Sequence, residues 1–171
     1  IYQTYDGGIT WNSIAVPFAE ASFQLLDATN GFAFSPLGAG AGSEAVALFK
    51  TSDAGHTWTR VFINDPTVDG SSNSLPLGGQ KGGFTFLDQS RGWVGGSVPV
   101  DGYIYLYQTI DGGATWSDAN LALPAGYETA QTSNAGPQFF SATDGILAVS
   151  LYLSDADPGV VTIIYRTTDG G

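Results

Sequence analysis

The segment Thr-x-Asp-x-Gly-x-Thr-Trp occurs three times in this chain of 171 residues, and a shorter copy occupies its last five positions. We call these segments the aspartate turns, and they span residues 4–11, 51–58, 109–116 and 167–171. Their aspartates are 47, 58 and 58 positions apart, at Asp6, Asp53, Asp111 and Asp169. A motif that returns at such intervals indicates a repeat architecture in which each copy belongs to one supersecondary unit.

A second motif alternates with the aspartate turns. In each copy an apolar segment precedes a short turn, and a glycine followed by an apolar residue opens the next segment. The copies span residues 23–32, 84–93 and 139–146. The third copy lacks the aspartate found at Asp27 and Asp88, and instead has Asp144 directly before its glycine. Each repeat therefore predicts four short strands, which in the middle repeat we place at 83–87, 93–97, 103–109 and 115–118.

The predicted strand 103–109 is apolar on both faces, because side chains alternate along a strand. Its two faces are Tyr103, Tyr105 and Tyr107 on one side, and Ile104 and Leu106 on the other. Segments 45–49 and 160–165 have the same character. A strand in a sheet with one solvent-exposed face would alternate apolar and polar residues, and these segments do not. We therefore expect sheets that are covered on both faces, as radially packed propeller blades require. The helix-like segment 18–26 aligns with strands of the other repeats, and we predict it as strand.

The aspartate turn has a structural interpretation. Its carboxylate is expected to accept backbone N–H groups within its own turn. The second of the two glycine positions is Gly in every copy, whereas the first is Ala54 once, so the second is predicted to need a positive φ. The tryptophan is predicted to be buried between sheets. A row of carboxylates that binds a metal or a sugar is the alternative. The residues of the structural site are Asp6, Gly8, Trp11, Asp53, Gly55, Trp58, Asp111, Gly113, Trp116, Asp169 and Gly171.

The aspartate turn resembles the Asp box of bacterial neuraminidase repeats. Its alternation with the second motif is similar to the repeats of the photosystem II assembly-factor type, and sortilin-type receptors and xyloglucanase-type glycosidases share the Asp box. The resemblance implies an all-β fold, a β-propeller segment of about three four-stranded antiparallel blades with Asp-box hairpins. Within a single partial propeller, 1–171, it places the end of one blade at 1–16, blades at 17–62 and 80–122, and an incomplete blade at 136–171. We expect further residues beyond both termini, or a partner chain that covers them.

Composition excludes several classes of function. Sixteen acidic against five basic residues give a net charge of −11, which disfavours binding to nucleic acid and to anionic membranes. No run of eighteen apolar residues is present, so no membrane insertion is expected. The absence of cysteine excludes disulfides, a thiolate nucleophile and cysteine-bound zinc. Few lysines, many small polar residues and high acidity favour an extracytoplasmic bacterial protein, whether secreted, periplasmic or on the cell surface.

Catalytic candidates are scattered along the chain. A sialidase would need three arginines around a carboxylate and a Tyr–Glu pair. Arg60 follows an aspartate turn, Arg91 lies in a turn and Arg166 precedes an aspartate turn, so all three are interpreted as structural. A glycosidase would need two carboxylates on either side of the scissile bond, and no pair is distinguished. The acids outside the aspartate turns are Asp27, Asp65, Asp69, Asp88, Asp101, Asp118, Asp144, Asp155, Asp157, Glu20, Glu44 and Glu128. The single histidine, His56, argues against histidine triads and multi-histidine metal sites.

Two acidic loops, 65–71 and 154–159, are candidate Ca²⁺ ligands without the spacing of an EF-hand, and no metal or other cofactor is assigned. Tyr127 belongs either to a partner surface or to a strand cap. The residues favour a non-catalytic scaffold that binds a protein partner or further blades of the same protein. The alternatives are a fragment of a carbohydrate-active enzyme and a carbohydrate-binding surface module.

Overall fold

The computed structural model describes residues 1–153 and 159–171, which form antiparallel strands and turns without a helix. The predicted all-β class is confirmed. The strands are β1 (Tyr2–Gln3), β2 (Asn12–Ser13), β3 (Ser22–Leu25), β4 (Gly31–Gly40), β5 (Ser43–Thr51), β6 (Thr59–Ile63), β7 (Gln80–Phe86), β8 (Gly92–Ser97), β9 (Leu106–Thr109), β10 (Ser117–Asp118), β11 (Gln131–Ser133), β12 (Gln138–Phe139), β13 (Gly145–Tyr152) and β14 (Val160–Thr167).

The strands form three successive units. In the first unit, residues 22–63, strands β3 to β6 pair in chain order, and in the second unit, residues 80–118, strands β7 to β10 do the same. The third unit, residues 138–167, has the order β12-β13-β14 among its described residues. Strand β11 pairs with β13 and meets β8 at Ser97, so it joins the second and third units into one sheet. Strands β1 and β2 form a separate hairpin.

The second unit is covered on both faces. On one face Phe86 and Tyr105 pack in a core with Phe32 and Leu48 of the first unit. On the other face Trp93, Ile104 and Leu106 form a core with residues of β13. This confirms the prediction from the strand pattern that both faces of 103–109 are buried. The hydrophobic effect therefore fixes the second unit between its two neighbours.

The four strands predicted for the middle repeat are present, but their boundaries differ, since β7 already begins at Gln80 and β10 begins only at Ser117. The segments 83–87, 93–97 and 115–118 correspond to β7, β8 and β10, and 18–26 contains the strand β3. Strand β9 begins at Leu106 rather than at Tyr103. The reason is that the carbonyl oxygens of Tyr103 and Tyr105 accept hydrogen bonds from the side chains of Thr132 and Asn134 instead of from a paired strand.

The outer face of the third unit is open to solvent. Strand β14 alternates between half-buried and exposed residues, and Val160 and Ile164 on its outer side are 62% and 66% exposed. The prediction that segment 160–165 is covered on both faces is therefore wrong among the described residues, because its outer side is exposed. The first unit is different, because Phe18 and Ala21 pack over its outer face against Phe49.

Candidate functional site

Each aspartate turn is held by its own hydrogen bonds. In the second turn the Thr51 hydroxyl donates to Asp53 Oδ1 at 2.9 Å and accepts from the amide of Gly55 at 2.9 Å. Thr57 donates its amide to Asp53 Oδ1 at 2.8 Å and its hydroxyl to Asp53 Oδ2 at 2.6 Å. The same bonds recur around Asp6 and Asp111. Both oxygens of these three carboxylates therefore support the local backbone.

These donors keep the carboxylates ionised. The hydroxyl and amide of Thr57 lower the pKa of Asp53 to about 2, and Thr10 acts in the same way to lower the pKa of Asp6 to about 2. Burial raises the pKa of Asp111, but the hydroxyl and amide of Thr115 outweigh that effect, so its pKa is also lowered. Hydrogen bonds to the charged form account for the direction of all three shifts.

The two sequence motifs meet in every unit. The residue after the aspartate donates its amide to a carbonyl in the turn of the second motif: Ala54 to Thr29 at 2.9 Å, and Gly112 to Ser90 at 2.8 Å. Gly170 makes the equivalent bond to Thr143 at 2.9 Å. The alternation in the sequence thus reflects one recurring contact between two turns.

The turn of the second motif is stabilised by a side chain at its first position, which accepts hydrogen bonds from amides of the same turn. Oδ1 of Asp27 accepts the amides of Thr29 and Asn30, at 2.7 and 2.8 Å. Asp88 plays the same part in the second unit. In the third unit the hydroxyl of Ser141 replaces the carboxylate as acceptor, and it donates to Asp144 Oδ2 at 3.0 Å. The missing aspartate of the third copy is therefore compensated by a serine.

The prediction about the second glycine is confirmed, and the structure adds a second left-handed position. The second glycine position has a positive φ, 84° at Gly55 and 90° at Gly113, as expected. The first position is left-handed as well, with φ of 60° at Ala54 and 74° at Gly112. The amide of the first of these two left-handed residues points to the turn of the second motif. The left-handed conformation of Ala54 raises the free energy of the fold by about 1–2 kcal/mol, because it is strained for an L-residue.

Burial of the tryptophans differs between copies. Trp116 is 6% exposed, Trp58 is half-buried and Trp11 is 58% exposed, so the prediction of burial is confirmed for Trp116 and wrong for Trp11. Their place in the turn is shared, because Nε1 of Trp11 and of Trp58 donates to the carbonyl of Gly8 and of Gly55, at 3.1 and 3.0 Å. Only the ring of Trp116 lies between two packed units.

Several of the acidic residues named as catalytic or calcium-binding candidates serve local structure. Asp65 accepts the amide and hydroxyl of Thr67, and Glu128 accepts the amide of Gly126. Within residues 1–153 and 159–171, no group of three His, Cys, Asp or Glu side chains is placed to hold a metal ion. Asp155 and Asp157 lie outside the described residues. The calcium prediction for loop 154–159 falls on these residues.

The cationic and histidine candidates have separate partners. The Arg91 guanidinium contacts Asp88 at 2.8 Å, and Arg166 contacts Asp144 at 3.7 Å, which matches turn stabilisation. His56 is exposed and its Nε2 lies 2.7 Å from the Tyr5 hydroxyl, with the two rings stacked. The contact between His56 and Tyr5 links the first two aspartate turns.

Lys81 is a feature that the sequence patterns do not reveal. Its Nζ donates to backbone carbonyl oxygens at 2.8–3.3 Å, from Pro76, Glu44, Leu77, Gly79 and Gly78. Burial lowers the pKa of Lys81 to about 8, and the charge of Glu44 opposes this shift. The only sequence signal is a lysine, rare in this chain, two residues after a Pro-Leu-Gly-Gly segment.

A cleft of about 320 Å³ lies next to this lysine. It is lined by Pro76, Gly78, Val98, Val100, Tyr103, Tyr105 and Tyr107. The Tyr103 hydroxyl donates to Asp118 Oδ2 at 2.6 Å and lies 3.2 Å from the Tyr107 hydroxyl. Burial, together with the hydrogen bond to Asp118, raises the pKa of Tyr103. The cleft thus presents phenol hydroxyls beside one carboxylate. Tyr127, by contrast, is half-buried against the core between the second and third units.

Comparison of the chain with models of protein families, with curated proteins and with solved structures gives no match. None of the described elements is a helix that has the length and hydropathy to cross a bilayer. The interpretation of this site therefore depends on its geometry.

Proposed function

We propose that the chain is a non-catalytic repeat scaffold of the β-propeller type, which binds protein segments as part of an extracytoplasmic bacterial protein. The observation that carries this proposal is the use of the repeated carboxylates. Asp6, Asp53 and Asp111 direct both oxygens to donors in their own turns. The motif that repeats is thus a support for the backbone rather than a row of free ligands.

The packing of the units supports the architecture. The first two units have the same strand order and the same contact between motifs, and the second unit has a neighbour on each face. Units of this kind that pack face to face around an axis form a propeller, typically with four to eight blades. The resemblance of the aspartate turn to the Asp box supports the same architecture.

The outer face of the third unit supports binding to protein. Its apolar residues include Ile146, Ala148, Tyr152, Val160 and Ile164, on neighbouring strands in register. Contiguous exposed apolar surface marks an interaction site. The net charge of −11 disfavours polyanionic partners. A further unit of the same kind or another protein with an apolar surface fits this face.

Sedimentation velocity over a range of protein concentrations tests this function. We expect residues 1–171 to self-associate as the protein concentration rises, because burial of the outer apolar face between two molecules is favourable. Ile164→Lys should reduce this association, whereas Ile110→Lys, at an equally exposed position in an aspartate turn, should leave it unchanged. A monodisperse monomer with a sharp two-state melt would contradict the proposal.

Carbohydrate binding is the second candidate, and the tyrosine cleft is the observation that favours it. Tyr103, Tyr107 and Asp118 combine aromatic faces with a carboxylate acceptor, which is a combination suited to a sugar ring. Titration calorimetry with cello- and chito-oligosaccharides tests it. Binding that is lost in Tyr103→Ala and retained in Tyr5→Ala would favour this candidate, and the absence of heat at millimolar ligand would exclude it for these sugars.

A further inference from the structure

The tyrosine cleft, of about 320 Å³, is built from the middle of the chain, with lining residues between positions 76 and 107. Its lining contains Tyr103, Tyr105 and Tyr107, and the other lining residues are proline, valine and glycine. Asp118 pairs with Tyr107 across strands β9 and β10, so the two side chains share one face of the sheet. The cleft therefore combines aromatic rings, apolar walls and a carboxylate on the same side of the second unit.

The Asp118 carboxylate is held in place but carries an uncompensated charge. The Tyr103 hydroxyl donates to its Oδ2 at 2.6 Å, and the amide of Asn120 donates to its Oδ1 at 2.7 Å. Within residues 1–153 and 159–171 the ion pairs are those of Arg91 and Arg166, and neither involves Asp118. Asp118 is half-buried, where a charge interacts more strongly than in bulk water. The net charge of −11 adds to the negative potential, so the group that complements this site is a cation.

The neighbouring Lys81 shows what an ammonium group needs in order to leave water. Its Nζ donates to five backbone carbonyl oxygens at 2.8–3.3 Å and lies 5.7 Å from the centroid of the Tyr105 ring. The surface of the cleft is almost entirely apolar and offers no such cluster of oxygens to a second ammonium. A guanidinium is more weakly hydrated, stacks on aromatic rings and binds a carboxylate through paired N–H donors. The cleft therefore suits arginine better than lysine.

We propose that the tyrosine cleft binds an arginine side chain of a partner protein. The guanidinium lies against the rings of Tyr103 and Tyr107 and donates to Asp118, while the arginine methylenes contact Val98 and Val100. The inference deepens the proposed scaffold function, since it names the chemistry of the bound segment, and it rests on that function for the ligand being a protein.

Three blocked tripeptides that differ only in the central residue test the site: acetyl-Gly-Arg-Gly-amide and its lysine and citrulline equivalents. Citrulline keeps the shape of arginine without its charge. The NMR ring resonances of Tyr103 and Tyr107 report binding in the cleft of the unmodified chain. We expect the arginine peptide to bind with a Kd of about 1–10 mM, as for a single side chain. The lysine and citrulline peptides should each bind about fivefold more weakly.

A variant of the carboxylate tests the role of charge. Asp118→Asn keeps one acceptor oxygen for the Tyr103 hydroxyl and removes the charge, so it should weaken binding of the arginine peptide about fivefold and leave the citrulline peptide unaffected. Asp69→Asn is the matched control, because it changes the net charge equally at an exposed acid outside the lining of the cleft. It should leave the binding of all three peptides unchanged.

Equal affinity of the arginine peptide and either of the other two would overturn the inference, as would unchanged binding in Asp118→Asn. Shifts of the same tyrosine resonances by cello-oligosaccharides but not by the arginine peptide would also overturn it, in favour of a sugar site. If the arginine peptide binds while the chain stays monomeric at every concentration, the arginine site stands and the proposed self-association fails. Self-association without arginine binding has the opposite meaning.

Discussion

The two junctions between units use equivalent positions but are filled differently. Between the first and second units, Trp116 occupies the central slot. The amide side chain of Gln24 also bridges the junction, because it donates to the Phe86 carbonyl at 2.9 Å and accepts the Phe86 amide at 2.6 Å. Between the second and third units the slot is a cavity of about 220 Å³, and β11 connects the sheets instead.

The difference shows that the motif fixes the position of a side chain but not its burial. The tryptophans of the three aspartate turns all pack against the second glycine of their own turn, although Nε1 of Trp116, unlike that of Trp11 and Trp58, has no hydrogen-bond partner among the described residues. Their exposure ranges from 6% to 58% because different surfaces lie over them. The free energy of a repeat therefore depends on its neighbours, as in other repeat proteins. The following predictions test the contrast, from the largest expected effect to the smallest.

Substitution of the tryptophans should separate the copies. Trp116→Ala removes a ring from a packed core and should lower the free energy of unfolding by about 3–5 kcal/mol. Trp11→Ala removes an exposed ring and should change it by about 0.5 kcal/mol or less. Urea unfolding of both variants measures the two values. Similar losses for the two variants would refute the contrast between the junctions.

The glycines next to these tryptophans test the same contrast with a smaller change. Gly113 and Gly8 have φ of 90° and 93°, so alanine should cost about 1–2 kcal/mol of strain at either. At Gly113 the new methyl would also collide with Leu48 in the core, so its total loss should reach about 3 kcal/mol. Thermal unfolding compares the pair, and equal melting temperatures would mean that the slot around Gly113 is loosely packed.

Lys81→Met tests the carbonyl cluster at the filled junction. The variant removes the donor to several carbonyl oxygens, so we expect a loss of about 2 kcal/mol of stability. Lys50→Met is the control, because the Lys50 ammonium only lies over the Phe32 ring at 5.7 Å. Denaturant midpoints of the two variants are the readout. An unchanged midpoint for Lys81→Met would show that water satisfies these carbonyls.

Acid titration compares the aspartate turn around Asp53 with the one around Asp169. The pKa of Asp53 falls from its ordinary 3.8 to about 2, chiefly because of Thr57, with a smaller contribution from the charge of His56. A depressed folded-state pKa stabilises the fold above the ordinary value, and this contribution is lost as the pH falls from about 4 to about 2. The pKa of Asp169 is lowered as well, chiefly by the hydroxyl of Thr167 and the amide of Gly171, and carboxylate NMR should show that Asp53 titrates below Asp169. The reverse order would contradict the proposed difference between the two turns.

Much of the fold could be predicted because the relevant information is local. The aspartate turn needs donors within four residues of its carboxylate, and the strand pattern of 103–109 records burial on both faces. These interactions lie within one repeat, so the spacing of residues is enough to predict them. The left-handed conformation of Ala54 was not predicted, because alanine seldom adopts a positive φ and so gives no signal of one.

The rest depends on contacts between distant segments. Lys81 meets the carbonyl of Glu44, 37 residues earlier, and nothing in the pattern around either residue indicates that approach. The bridging strand β11 lies in a segment without strand-like alternation. The cavity beside the third unit is lined by residues that are far apart in the sequence, such as Trp93 and Phe139, so no local pattern predicts it.

The central claim is that the cavity between the second and third units is equivalent to the position that Trp116 fills between the first and second units, and one measurement tests it directly. The sequence Ala-Thr-Trp-Ser-Asp-Ala-Asn-Leu, copied from residues 114–121, is added after Gly171, and urea unfolding is compared with that of the original chain and of the same extension with Ala for Trp. Burial of the indole in the cavity should raise the free energy of unfolding by about 3 kcal/mol, and the alanine extension should raise it by much less. Equal stability of the two extended chains would contradict the claim.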